Sequence, residues 1–154
     1  MSVEQEQLTS DLIARCHAII SQEPGIRLAI VYGSAATGRL HSTSDIDIAL
    51  LGNAPLDLDD RLSLMAKLSS ATNREVDLVD LFDLGGLLLK QILCKGRLIL
   101  NRDQAAYESL AQRMLYEAED FLPLVRRAQK ERLMRFIDGQ GACSRKTREA
   151  APLR

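Results

Sequence analysis

Gly33-Ser34-Ala35-Ala36-Thr37-Gly38-Arg39-Leu40-His41-Ser42-Thr43-Ser44-Asp45-Ile46-Asp47-Ile48-Ala49-Leu50 is the stretch on which the reading of this 154-residue chain turns. It reduces to Gly-Ser, ten residues, then Asp-x-Asp. Upstream, Leu28 to Tyr32 is a short apolar, partly β-branched run that predicts a buried strand ending directly in Gly33. Downstream, Asp45 to Leu51 predicts a second strand, closed by Gly52-Asn53-Ala54-Pro55. Residues two apart on a strand face the same way, so Asp45 and Asp47 project together while Ile46, Ile48 and Leu50 fill the opposite, apolar face.

Two carboxylates held side by side repel, and one tends to keep a proton unless an oxygen-preferring cation neutralises them. Magnesium suits that role. Two such ions, about 3.5 to 4 Å apart, would stabilise the attacking and leaving oxygens of an in-line phosphoryl displacement. A third ligand is then needed. Asp77, in Glu75-Val76-Asp77-Leu78-Val79, is preferred, because an unpaired carboxylate within an apolar strand is costly to bury. Its role would be to hold the metal and help deprotonate the nucleophile. Asp80 and Asp83 remain alternatives, falling at or beyond the strand end, where solvent can satisfy them.

Gly33 and Ser34 follow a strand and open a short helix, where backbone N–H groups favour phosphate. The Ser34 hydroxyl adds one bond to a β or γ phosphate, and Gly33 lets the backbone approach closely. Arg39, beside this turn, is a candidate partner for a triphosphate. No Gly-Lys-Ser/Thr follows, so this is not a Walker loop. Asp-x-Asp and Gly-Ser are each common in strand edges and turns; their conjunction in one apolar frame carries the argument. His41 is read as an exposed loop residue, Tyr32 as core or pocket wall, and Cys16 and Cys94 as packing residues.

Working outward, a helix is predicted over 5–22, stopped by Pro24-Gly25, with Leu8, Leu12, Ile13, Ile19 and Ile20 as its apolar positions. Leu58, Leu62, Met65, Ala66 and Leu68 predict another helix, opened by Asp57, Asp59 and Asp60 and closing near Asn73. A third strand over 75–81, a leucine-rich helix over 84–95 and a fourth strand over 97–100 follow. The fold class is α/β (α+β), a small mixed sheet flanked by helices. Residues 1–102 are expected to form this domain and 103–137 a helical extension, kinked or restarted at Pro123. Residues 138–154, basic and core-poor, are expected to be a disordered tail.

A net charge of −1 gives no bulk attraction to nucleic acid or membrane. Arg113, Arg126, Arg127, Lys130, Arg132 and Arg135 are interleaved with acidic residues, which suits a solvated face or the docking of a protein more than of RNA. Cys16, Cys94 and Cys143 form no metal or disulfide pattern, and neither a secretion signal nor a membrane span is legible. A cytoplasmic setting is expected.

The Gly-Ser to Asp-x-Asp segment resembles the signature of the DNA polymerase β-like superfamily, and the chain is similar to its minimal nucleotidyltransferases over roughly residues 5–100. The Val76-Asp77-Leu78-Val79-Asp80-Leu81 stretch looks like that group's third-carboxylate strand. The resemblance implies a polymerase β-like fold, Ser34 as the phosphate-binding serine, Asp45 and Asp47 as metal ligands, Asp77 as third carboxylate, and ATP with Mg2+ as substrate. Many minimal members are antitoxins paired with a HEPN-domain ribonuclease toxin, and some transfer AMP from ATP to a toxin tyrosine. A protein adenylyltransferase in a hetero-oligomer with a HEPN toxin is thereby implied. Two alternatives stand beside it: an antitoxin that neutralises by binding alone, and transfer to a small-molecule acceptor, disfavoured because no separate acceptor-binding domain is legible.

Overall fold

A computed structural model of the chain describes residues 3–39, 41 and 44–117. The elements run α1 (Val3–Ile20), β1 (Ile26–Tyr32), α2 (Gly33–Ala36), β2 (Ile46–Gly52), α3 (Leu58–Thr72), β3 (Val76–Asp80), α4 (Gly86–Lys95) and β4 (Arg97–Asn101). A last helix, α5, occupies 104–117 of the described residues. The mixed α/β class is as expected, with element ends displaced by a few residues. The compact unit that carries the sheet ends at Leu115; of the second unit, Tyr116–Arg154, only helical residues 116 and 117 are described. The rest of the expected extension, its kink at Pro123, its basic face beyond 117 and the tail over 138–154 lie outside the described residues.

The sheet order is β3-β2-β1-β4. β1 is antiparallel to both β2 and β4, whereas β2 and β3 are parallel because α3 crosses between them. This topology puts the end of β1 and the starts of β2 and β3 at one end of the sheet.

Both faces are covered. Ile46, Ile48 and Leu50 pack with Val76, Leu78, Ala29 and Val31 beneath α1 and α3. Ala49 and Leu51 on the other face join Leu28, Ile30 and Tyr32 beneath α4 and α5, through Leu89, Ile92, Ala106 and Leu110. β2 is thus apolar on both sides, and Asp47 is its one position short of full burial. Each buried leucine or isoleucine side chain contributes about 1.5 to 3 kcal/mol of transfer free energy, so the strand bearing the aspartates is among the best anchored.

In two helices the buried stripe overlaps the expected one only in part: Leu12, Ile13, Ile20 and Leu68 are buried and Ile19 packs beside them as expected. In α1, Leu8 is exposed, and Thr9, Leu12, Ile13, Cys16 and Ile20 face the sheet at i, i+3, i+4, i+7 and i+11. In α3, Leu58 and Leu62 point away, while Leu64, Leu68 and Thr72 are buried and Met65 packs beside them. The faces are chosen by the neighbouring layer: α1 and α3 pack side by side over one core, which selects the stripe that both share. No helix of the described residues is long and apolar enough to cross a membrane.

Candidate functional site

The site begins where β1 stops. Tyr32 is extended at φ −134°, and Gly33 then turns the chain at φ +68°, a left-handed value that an L side chain rarely adopts. The one-turn helix α2 follows, closed by the Thr37 N–H on the Gly33 carbonyl at 3.3 Å and the Thr37 hydroxyl on the same oxygen at 3.1 Å. The Arg39 N–H then bonds the Ser34 carbonyl at 3.0 Å. Gly33 and Ser34 thus sit at a helix start, where the first N–H groups lack intrahelical acceptors. Arg39 is exposed at the exit of the same turn.

Asp47 lies at the centre. It pairs with Tyr32 of β1 on one side and with Asp77 of β3 on the other. Neighbouring partners in register point to the same side of a sheet, so the Asp47 and Asp77 side chains share a face, with their backbones about one strand spacing, ~4.8 Å, apart. Asp45 immediately precedes β2 and is exposed. The Asp47 carboxyl is held above the usual carboxylate range, first by burial, then by Asp77 and then by Asp45. Tyr32 is buried, and its hydroxyl is likewise pushed up by burial and by the same two carboxylates, Asp47 and Asp77, against a smaller opposing effect of Arg61. Site and core therefore meet at Tyr32, a core residue that stands beside the two carboxylates.

The preference for Asp77 on grounds of burial needs correction. Asp77 is exposed, since β3 is an edge strand, whereas Asp80 is the half-buried one. The carboxylate of Asp80 is not left to solvent: it accepts the Leu56 N–H at 2.7 Å and the Phe82 N–H at 2.9 Å. Asp80 is thus committed to holding the loops that flank α3 and β3. Asp77 is set apart by its register with Asp47, which periodicity within one strand cannot reveal.

Arg74 and Arg61, which the sequence did not mark, and Arg113, which it placed only on a basic helix face, each bond backbone carbonyls from a distance, and Arg74 is the one that holds the site end. Arg74 donates from Nη1 to the His41 carbonyl at 2.6 Å and to the Ser44 carbonyl at 3.0 Å. Arg61 on α3 donates to the Leu78 carbonyl of β3. Arg113 on α5 bonds the Leu81 carbonyl at 2.6 Å and the Phe82 carbonyl at 2.9 Å, just beyond β3. Their targets are backbone carbonyls distant in the chain, so no local signal marks them.

Among the described residues no three His, Cys, Asp or Glu side chains form a ready-made metal cage. The donor chemistry nevertheless fits magnesium. That ion dehydrates reluctantly and is held by one or two carboxylates together with substrate phosphates, and not by a closed protein cage. Asp47 with Asp77, and Asp45 beside them, offer oxygen donors whose mutual repulsion a divalent cation would relieve. A cavity of about 400 Å³ lies at the other end of the sheet, around Gly25, Gly52, Pro55 and Lys67, and does not include these residues. The carboxylate site is an open surface at a sheet end.

The chain is similar to several known proteins. The family model described as "Polymerase beta, Nucleotidyltransferase" matches residues 14–105. The protein adenylyltransferase MntA of Shewanella oneidensis is 38% identical over 81 residues, which are 53% of this chain and 58% of that protein. The match therefore spans little more than half the length of that curated relative. A chain from the crystal structure of a toxin–antitoxin with AMP-PNP is 30% identical, with a TM-score of 0.65, covering 79% of this chain and 98% of that one. A chain of the toxin–antitoxin MntA–HepT is 27% identical, with a TM-score of 0.57, covering 84% and 98%.

Proposed function

Because the chain belongs to the polymerase β nucleotidyltransferase family, we propose that it transfers AMP from ATP to a tyrosine hydroxyl of a HEPN-type ribonuclease toxin and acts as that toxin's antitoxin. The observation that carries this reading is the placement of Asp47, in register with Asp77 and abutting the Gly33-Ser34 turn. A phosphate-binding turn that adjoins paired carboxylates brings a nucleotide's phosphates and an acceptor oxygen to one place. The relative named a protein adenylyltransferase and the toxin–antitoxin solved with AMP-PNP support the choice of ATP and of a protein acceptor.

In this mechanism the Gly33-Ser34 turn binds the β and γ phosphates through its N–H groups and the Ser34 hydroxyl. Arg39, exposed beside the turn, pairs with the triphosphate. Asp45, Asp47 and Asp77 would hold magnesium, which would supply charge neutralisation for the reacting phosphate. Asp77 takes the proton of the acceptor hydroxyl. The acceptor oxygen bonds to the α phosphorus, the bond from that phosphorus to the bridging oxygen breaks, and pyrophosphate leaves. Because Asp77 is exposed on an edge strand, a side chain of another protein can reach it.

The test is incubation of the purified chain with α-labelled ATP, Mg2+ and a HEPN protein encoded beside it. Label is expected on a toxin tyrosine and to be absent with Asp47→Asn. Unlabelled toxin under conditions where the chain binds ATP overturns the acceptor assignment. Rescue of toxin-arrested growth by Asp45→Asn with Asp47→Asn would establish neutralisation by binding alone.

A further inference from the structure

Asp45 precedes β2, outside the ladder that orders Asp47, and its side chain is exposed. A metal ligand in that situation needs its backbone held from elsewhere. The direction of a Cα–Cβ bond is set by the two peptide planes that flank it, and both planes around Asp45 are tied to the segment 74–75. The Ser44 carbonyl, in the plane before Asp45, accepts from Arg74 Nη1 at 3.0 Å. The Ile46 N–H, in the plane after it, donates to the Glu75 carbonyl at 2.9 Å. The same Arg74 nitrogen bonds the His41 carbonyl at 2.6 Å, so His41 is held as well. His41 and Ser44 also bond each other, with the Ser44 N–H on the His41 carbonyl at 3.2 Å and the His41 N–H on the Ser44 hydroxyl at 3.0 Å.

Arg74 is itself fixed. It is half-buried, and it follows Asn73, the left-handed cap of α3 at φ +54°, and precedes β3, the strand that bears Asp77. One short segment therefore sets Asp77 by strand register and Asp45 by a guanidinium clamp.

We propose that Arg74 is the positioning residue of the metal site: by holding the carbonyls of His41 and Ser44 it fixes the direction in which Asp45 presents its carboxylate toward a divalent cation. The role of Asp45 rests on the nucleotidyl-transfer reading above. The guanidinium of Arg74 bonds backbone carbonyls, and its effect passes through Asp45. A lysine keeps the charge but not the planar fork, so it restores the clamp only in part.

The experiment is titration of the full chain with Mn2+, followed by electron paramagnetic resonance, for the wild type, Arg74→Ala, Arg74→Lys and Arg15→Ala. Arg15 is the control, because its Nη1 bonds the Ala71 carbonyl at 3.3 Å near the same end of α3 without touching His41 or Ser44. Arg74→Ala is expected to weaken Mn2+ binding about ten-fold, the scale of groups that orient metal ligands. Arg74→Lys should fall between Arg74→Ala and wild type, and Arg15→Ala should lower the melting temperature while leaving Mn2+ affinity in place. In the transferase assay, Arg74→Ala should raise the Mg2+ concentration for half-maximal rate by a similar factor. Wild-type Mn2+ affinity in Arg74→Ala, or equal loss in Arg15→Ala, overturns the proposal. If Arg74→Ala does not fold, Arg74→Gln replaces it, and unchanged affinity there is equally decisive. The Mn2+ arm needs no acceptor, so a wild type that binds the ion without transferring AMP refutes the functional reading and still decides the role of Arg74.

Discussion

Gly33 leaves room for Asp47: a Cβ at residue 33 would overlap Oδ2 of the Asp47 carboxylate. The Gly33-Ser34 turn and the Asp47 carboxylate are therefore in direct packing contact, and the glycine serves two needs at once. Its φ of +68° is one that L residues rarely adopt, and its missing side chain is the space in which the carboxyl sits.

Gly33→Ala should therefore act on both stability and chemistry. The left-handed backbone alone costs about 1 to 2 kcal/mol for an alanine. Displacement of Asp47 by roughly an ångström is expected to lower AMP transfer about a hundred-fold. Thermal unfolding and a steady-state transfer assay, run on the same preparation, check the two effects. Near-normal turnover in a destabilised Gly33→Ala protein would separate the turn from the site.

Asp47 gives a pH dependence of definite sign. Its carboxyl is raised by burial, Asp77 and Asp45, so the folded chain binds this proton more tightly than the unfolded chain does. The associated stability is complete below the ordinary carboxylate value of 3.8 and is lost as pH rises through the raised folded value. In EDTA, Asp47→Asn should flatten that decline and melt no lower than wild type at neutral pH. Added Mg2+ should raise the melting temperature of the wild type only, and the variant should lack transfer. A variant that melts well below wild type in EDTA at neutral pH contradicts this account.

Asp77 and Asp80 should separate cleanly. Asp77→Asn is expected to cut transfer at least about a hundred-fold with little change in melting temperature, since its side chain is exposed. Asp80→Ala strands the N–H groups of Leu56 and Phe82 and should cost about 1 to 3 kcal/mol while leaving measurable transfer. The reverse pattern would move the third-carboxylate role to Asp80.

The start of α5 predicts a second, acid-side effect. Asp103 accepts the Ala106 N–H at 2.9 Å and pairs with Arg27 at 2.5 Å, and its carboxyl is lowered, chiefly by the Arg27 hydrogen bond and then by that N–H. A depressed folded value means stability that is present above the ordinary value of 3.8 and lost as pH falls through the lower folded one. Asp103→Asn should therefore melt below wild type at pH 7, with the gap closing toward strongly acidic pH. Parallel melting curves at all pH values would remove Asp103 from the acid response.

Most of the fold was legible because its strands are bounded by strong punctuation. β1 runs into Gly33-Ser34 and β2 into Gly52 through Pro55, so their apolar runs stand out at once. Helix faces were less legible. Leu8, Leu58 and Leu62 have the right residue type for a core and the wrong orientation, because a helix rotates to suit the layer beneath it. Asp77 was picked out for the wrong reason: an edge strand exposes it, and sheet order is not written in a single strand.

The sequence by itself determined the apolar strand that carries Asp47, the Gly33-Ser34 turn and the mixed α/β order. Each depends on residues close in the chain, where strand alternation and turn geometry act directly. Tertiary structure alone decided that Asp77 stands in register with Asp47, that Asp80 is occupied by backbone N–H groups, and that Arg74 reaches back to Ser44. Those contacts join segments tens of residues apart. They exist only once α3 has crossed from β2 to β3 and the two strands lie parallel.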